Sequence, residues 1–353
     1  MDALPEELLS QIFSYLVPAP PFISLPSTQA LRSLCLSSRK LHRIVVPLLY
    51  TCVHSISGSA GRQLLRTLEE SPALAGRVKY FAVQHTKEGC YRTVEASIED
   101  EDVYGTVEDE CAPLALRTVA LLPNLTTLDL SRFTMKRGEQ PLWVTLAKEH
   151  GPGDGKGELG TLTHLRRLSV NLWETPARTV VPFLRLTSLK ELELDMRRDV
   201  RDRLSFTHCF HTGTKVESLS VIGVNATRQS DLRWLGEELS SLRDLFVAVG
   251  ALSDIVLIIW LFASHIKRGT VRHIQVAALG LWLYDIETET SDKDSKEIAR
   301  GFLLALTYAT GRRDVEGEVV EVGAKCPGVQ RVAMRELTAE EKRAYDLSLI
   351  RRP

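Results

Sequence analysis

The stretch Leu189-Lys190-Glu191-Leu192-Glu193-Leu194 decides how this chain is read. Apolar residues stand first, fourth and sixth, and Leu192-Glu193-Leu194 alternates as a half-buried strand does. The spelling returns at 125–130 (LTTLDL), 165–170 (LRRLSV), 216–221 (VESLSV), 242–247 (LRDLFV) and 271–276 (VRHIQV), with weaker copies at 78–83 (VKYFAV) and 329–334 (VQRVAM). Start to start, the steps from 165 onward are 24, 27, 26 and 29 residues, and the 58 residues from 271 to 329 leave room for two units. The steps from 78 to 125 and from 125 to 165 are longer and carry insertions. A recurring unit of this length outranks local detail in fixing the fold.

A period of roughly 20–29 residues on L-x-x-L-x-L strands resembles the leucine-rich repeat family, loosely over residues 78–334. That family usually places Asn or Cys three residues past the last apolar strand position. Here those places hold Phe133, Trp173, Arg197, Val224, Gly250 and Leu279, so the buried amide ladder is missing and an irregular variant is expected. The resemblance implies that the second and third apolar positions point into the core and that the residues beside them share one concave face of a parallel sheet. Thr127 and Asp129, then Arg167, Ser169 and Asn171, then Glu191, Glu193 and Asp195 fall there. Ser218 and Ser220, Asp244 and Phe246, and His273 and Gln275 continue the rows. Ordinary solvated strand polarity accounts for such a face. The sharper reading makes Arg167, Glu191, Glu193, Asp195, Asp244, Phe246 and His273 substrate-binding, with the three successive carboxylates selecting a basic segment of a protein partner. An eight-stranded α/β barrel has the same alternation of strand and helix, but its units need roughly 30 residues, and steps of 24–27 are tight for it.

Ahead of the repeats, residues 4–16 read LPEELLSQIFSYL. Pro5 suits a first helical position, Glu6 and Glu7 complement the dipole of the first turn, and Leu8, Leu9, Ile12, Phe13 and Leu16 recur at helical spacing. The apolar stripe is wide enough to bury on two sides. Val17 to Pro26 is rich in proline and reads as a loop. Residues 30–50, ALRSLCLSSRKLHRIVVPLLY, then suit one or two helices ending near Pro47. Leu4, Pro5, Glu7, Leu8, Ile12, Phe13 and Leu16, with Leu36, Ser38 and Arg39 near a second segment, resemble an F-box. The loop between the halves is longer than the family's, and Leu41 stands where an aromatic is usual. A plain capping block of a repeat array is the alternative, but a cap has one face to bury and keeps the other polar.

The F-box resemblance implies a Skp-type adaptor, and through it a cullin, as partners. Leu4, Pro5, Leu8, Ile12, Leu16 and Leu36 are the expected adaptor-binding residues. The expected fold class is therefore α/β: a small all-α F-box at 1–50 followed by an irregular leucine-rich-repeat solenoid with a curved parallel sheet at 51–353. The expected function is the substrate-receptor subunit of a Skp-cullin-F-box type ubiquitin ligase, acting by positioning rather than by chemistry. A leucine-rich-repeat interaction scaffold without a ubiquitin role is the runner-up.

Composition fits a globular chain, with 44% hydrophobic and 25% charged residues, and a net charge of −1 gives no general attraction to nucleic acid or to acidic membranes. Met1-Asp2-Ala3-Leu4-Pro5-Glu6-Glu7 is acidic where a secretory leader is basic. The longest apolar run, Ile255 to Ala263, is nine residues, against roughly 18–20 for a bilayer span. It reads as a buried helix begun near Ser253 and Asp254 and stopped by His265, Lys267, Arg268 and Gly269. Six cysteines without paired spacing suit a reduced cytoplasmic or nuclear chain. By the same reasoning the sequons at Asn124 and Asn225 are chance matches.

The acidic run 95–110 and the Gly-rich run 148–160 read as surface loops. The latter fails the phosphate-loop pattern at His150 and Gly157. His208-Cys209-Phe210-His211 has no second cluster to complete a metal site. Further helices are expected at 61–70, 114–122 and 295–310, and a last one from the Thr338-x-x-Glu341 capping box to about Leu349. No constellation of catalytic groups stands out, so no enzyme activity, cofactor or metal is expected.

Overall fold

The computed structural model describes residues 4–17, 25–56, 59–84, 111–132, 162–171, 183–195, 215–224, 239–249, 252–278, 282–311, 319–322 and 325–344. The acidic run 95–110, the Gly-rich run 148–160, the His208–His211 cluster, Asn225 and the expected helix beyond Ala344 lie outside them. The chain divides into two compact units, 1–166 and 167–353.

The first unit opens with three helices, α1 (Glu6–Ser14), α2 (Leu25–Ser37) and α3 (Arg39–Leu49). The proline-rich stretch yields to helix earlier than its composition suggests. Pro26 sits in the first turn of α2, where its missing N–H costs nothing. The Ser38 hydroxyl accepts the Leu41 N–H at 3.2 Å and starts α3. Pro47 lies inside α3 rather than ending it. Leu9, Phe13, Leu31, Leu41, Ile44 and Val45 close a core within this block, with Leu16, Leu34, Cys35, Leu48 and Leu49 packed at its margin.

Next come β1 (Cys52–Ile56), α4 (Ser59–Glu70), α5 (Pro72–Ala75), β2 (Tyr80–Gln84), α6 (Cys111–Ala120) and β3 (Thr127–Arg132). The three strands are parallel, in the order of the sequence. Phe81 and Leu128 are opposed and wholly buried, while Leu65 and Leu68 of α4 and Ala115 and Val119 of α6 are buried from the helical side.

The second unit carries β4 (Arg167–Asn171), β5 (Glu191–Asp195), β6 (Ser218–Val224), β7 (Asp244–Val249) and β8 (His273–Ala278), again parallel and in order. The sextet spelling sets this register. Leu168, Leu192, Leu219, Leu245 and Ile274 face one another across the five strands, and each is at most 2% exposed, so a continuous apolar row runs across the sheet. The leading residue of each sextet, such as Leu165, Leu189 or Leu242, is buried just before its strand begins.

α7 (Leu252–Lys267) lies between β7 and β8. Ile255, Ile258, Ile259, Phe262 and Ile266 are buried, as expected of the apolar run. Gly269 ends it with φ +68° and its N–H on the Ile266 carbonyl at 2.9 Å, the left-handed stop that glycine adopts freely. Among the described residues, no helix is long and apolar enough to cross a membrane.

After β8 the repeat stops. β9 (Trp282–Thr288) pairs antiparallel with β8. α8 (Ser295–Gly311) comes next, then β10 (Val319–Glu321), β11 (Val329–Glu336) and α9 (Ala339–Ala344). β11 lies between β9 and β10, antiparallel to both. Ile298, Phe302 and Leu306 of α8 are buried, whereas Leu303 is 36% exposed. Thr338 and Glu341 form the expected capping box, with the Thr338 N–H on Glu341 Oε2 at 2.9 Å and the Glu341 N–H on Thr338 Oγ1 at 3.2 Å.

The expected architecture, an all-α F-box cap followed by a curved leucine-rich-repeat solenoid, is therefore overturned. The second unit is built on a mixed sheet, and in neither unit does the sheet close or curl strongly. The same open order rules out the barrel. Two physical causes explain the difference. Only residues 279–281 separate β8 from β9, whereas a parallel return needs a dozen or more residues, so the strand comes back antiparallel. Among the described residues, the helices between strands run from four residues in α5 to seventeen in α8. A solenoid's curvature accumulates from equal steps, and these steps are unequal, with no amide ladder to regularise them.

Candidate functional site

Two surfaces gather the residues singled out by sequence, one in each unit. The first is α1. Its helical period separates two apolar stripes. Leu9 and Phe13 turn into the three-helix core, at 1% and 3% exposure. Leu4, Leu8, Ile12 and Tyr15 form the other stripe, at 40%, 47%, 51% and 83% exposure. A short helix with apolar residues on two faces satisfies only one of them inside its own block. Pro5 stands at the N-cap position, extended at φ −55° and ψ 148°, rather than at the first helical residue. Leu16 is not on the exposed stripe, because it packs at the margin of the core. Leu36, near the end of α2, is 88% exposed.

The start of α1 is tied to α3. Arg43 pairs with Glu6, and Lys40 Nζ donates to the Leu4 carbonyl at 2.9 Å. These contacts orient the exposed stripe against a fixed helix. Tyr15 was not expected in the set. Its signal was nevertheless present, because it lies three residues past Ile12 and so continues the line through Leu4 and Leu8.

The second surface is the face of the second unit's sheet that alternates with the Leu168-to-Ile274 row. In its first row stand Arg167, Glu191, Ser218, Asp244, His273 and Glu287. Its second row holds Ser169, Glu193, Ser220, Phe246, Gln275 and Asp285. In the third, Ile222, Ala248, Ala277 and Leu283 join Leu337 in a small apolar cluster against which Phe246 packs.

The three successive carboxylates are not an open acidic strip. Arg167 reaches across from β4, with Nη2 donating to Glu193 Oε2 at 3.0 Å and Nη1 lying 3.7 Å from Glu191 Oε2. Asp195 is 4% exposed. Further along, His273 Nε2 lies 2.5 Å from Asp285 Oδ1, and Arg331 pairs with Glu287. The hydrogen bond from Arg331 holds the Glu287 carboxyl below its ordinary range. Lys190 and Glu217, just before β5 and β6, make a similar pair at 2.5 Å, with the same effect on Glu217. Asp244 is exposed, and among the described residues no ion pair or hydrogen bond of its carboxylate is seen.

In the first unit, Tyr80 donates to Asp129 Oδ2 at 2.8 Å, Asp129 Oδ1 accepts the Ser131 N–H at 2.9 Å, and the His54 and Tyr80 rings lie 5.8 Å apart. Burial pushes the Cys52 thiol up to about 11, the opposite of what a reactive cysteine needs. Among the described residues, no group of His, Cys, Asp and Glu is placed to hold a metal ion. A cavity of about 520 Å³ lies at the β8–β9 end of the second unit, lined by residues including Arg272, His273, Glu287, Glu289 and Gln330. Set against known proteins, the chain matches no family model and no curated protein.

Proposed function

We propose that this chain is a non-catalytic receptor that docks a Skp-type adaptor through α1 to α3, and through it a cullin. On this reading a protein client is held elsewhere on the chain for ubiquitination by a separate enzyme, in the cytoplasm or nucleus. The observation that carries the reading is the second stripe of α1. Leu4, Leu8, Ile12 and Tyr15 remain exposed on a helix whose other face already completes a core. A contiguous apolar patch held rigidly at the surface suits a protein partner, and a helical face laid into a hydrophobic groove is a recurrent way to bind one. The residue pattern from Leu4 to Leu16 adds the resemblance that names the partner class. The receptor's contribution to rate is proximity: it holds the client where another enzyme works.

The experiment is co-expression of the full chain with a Skp-type adaptor, followed by affinity capture. The wild-type chain retains the adaptor, and the double substitution Leu8→Glu, Ile12→Glu loses it while keeping its melting temperature. Absence of adaptor from the wild-type capture removes the ubiquitin role and leaves a protein-interaction scaffold.

A further inference from the structure

Among the described residues of the second unit's sheet face, carboxylates outnumber the cations that pair with them. Arg167 serves both Glu191 and Glu193, Arg331 serves Glu287, and His273 leans on Asp285. Asp244 stands between them, exposed, with Ser218 and His273 opposite it on the neighbouring strands. Two residues along the same strand, on the same face, is Phe246, half-buried against the Ile222, Ala248, Ala277, Leu283 and Leu337 cluster. A charge and an aromatic ring thus sit about 7 Å apart along one strand. The ring stands on an apolar floor, and the carboxylate is bordered by small hydroxyl side chains on the β6 side.

We propose that Asp244 and Phe246 form a docking site for an extended protein segment carrying Lys or Arg with an aliphatic residue two positions away. The charge imbalance selects the cation, and the strand spacing selects the interval. A segment lying along β7 projects every second side chain onto the face, which brings one to the carboxylate and the next to the ring. Ser218 and Ser220 are short enough to leave room beside β7. The proposal rests on the receptor reading, because it names the kind of client segment such a receptor would hold. It also relocates the acidic determinant from Glu191, Glu193 and Asp195 to Asp244. The first two are engaged by Arg167, and the third is buried.

The test is fluorescence anisotropy of the full chain with short labelled peptides of otherwise Gly, Ser and Thr residues. One set carries Arg-x-Leu or Leu-x-Arg, and the controls carry Glu-x-Leu or Arg-x-Ser. The Arg-and-Leu peptides bind at least about tenfold more tightly than either control, because a mismatched charge across an interface is penalised. Asp244→Asn weakens their binding, and Asp244→Arg inverts the preference toward Glu-x-Leu. Both variants keep the wild-type melting temperature, since the site is exposed. Equal binding of all peptides, no binding of any, or an unchanged preference in Asp244→Arg overturns the proposal. Adaptor binding measured on the same samples separates the two ideas: loss of peptide selectivity with adaptor retained defeats only the docking site, and the converse defeats only the receptor reading.

Discussion

Arg167 on β4 and Glu193 on β5 are joined across one strand step by a 3.0 Å hydrogen bond from Nη2 to Oε2, and the same guanidinium also lies near Glu191. A feature that reads along the chain as three carboxylates in a row is, in space, partly neutralised by the strand before it. Arg167→Met should destabilise the second unit by about 0.2–1 kcal/mol, the usual worth of a cross-strand charged pair. The loss should shrink in high salt, because the pair is partly exposed. Urea unfolding of both proteins at low and high ionic strength measures it.

Gly301 in the middle of α8 allows the chain before β11 to pass against the helix. A Cβ there would lie 2.5 Å from the Pro327 carbonyl oxygen and 2.7 Å from its nitrogen. Alanine raises helix propensity by about 1 kcal/mol, but the backbone of Pro327 cannot give way as a flexible side chain would. Overpacking of this kind costs about 1–3 kcal/mol, so Gly301→Ala should lower the melting temperature. A rise would show that α8 and the Pro327 segment are less closely apposed.

Glu341 links α9 to β11. Arg335 donates two hydrogen bonds to its carboxylate, at 2.7 and 2.6 Å, and these, with the Thr338 cap, hold its pKa down to about 2 from an ordinary 4.5. Because the folded value is depressed, the stabilisation is full above pH 4.5 and is lost as the pH falls toward 2. Hydrogen exchange of the α9 amides should therefore accelerate across that window in the wild type. In Glu341→Gln it should be faster already at neutral pH and lack the acid-dependent step.

The two stripes of α1 should respond differently to substitution. Phe13→Ala removes a ring that is 3% exposed and should cost about 3–5 kcal/mol. Ile12→Ser alters a side chain that is 51% exposed and should stay within about 0.5 kcal/mol. Thermal unfolding distinguishes them, and equal costs would place Ile12 in the core.

Much of this arrangement is legible in the sequence. The sextets locate β3 to β8, and their second and third apolar residues are the buried row that sets the parallel register. The apolar run at 255–263 and Gly269 define α7 and its stop, and Thr338 with Glu341 define the cap of α9. The sextets do not encode their own ending. A repeat predicts its continuation, and the three residues between β8 and β9 break it by being too few for a crossover. The residues of β9, WLYDIET, carry no sextet, and their pairing with both β8 and β11 is a long-range outcome that local spelling does not contain. Curvature was equally out of reach, because it depends on equal spacing between units rather than on any one of them.

The site residues divide along the same line. Leu8 and Ile12 are legible as a surplus of apolar positions on a short helix, and Tyr15 belongs with them by spacing. Leu16 belongs instead to the block's margin, where it packs against the three-helix core with Leu34, Cys35, Leu48 and Leu49. On the sheet face, the alternation puts the polar residues of neighbouring strands on one side, but pairing across strands decides which charges remain available, and that emerges only from the register.

Docking of an adaptor on the exposed stripe of α1 is tested by calorimetric titration of a purified Skp-type adaptor into the full chain and into its Leu8→Glu, Ile12→Glu variant. Saturable binding to the wild type and none to the variant is the expected result, with both chains melting at the same temperature. Binding that survives in the variant, or a wild-type chain that takes up no adaptor, would contradict it.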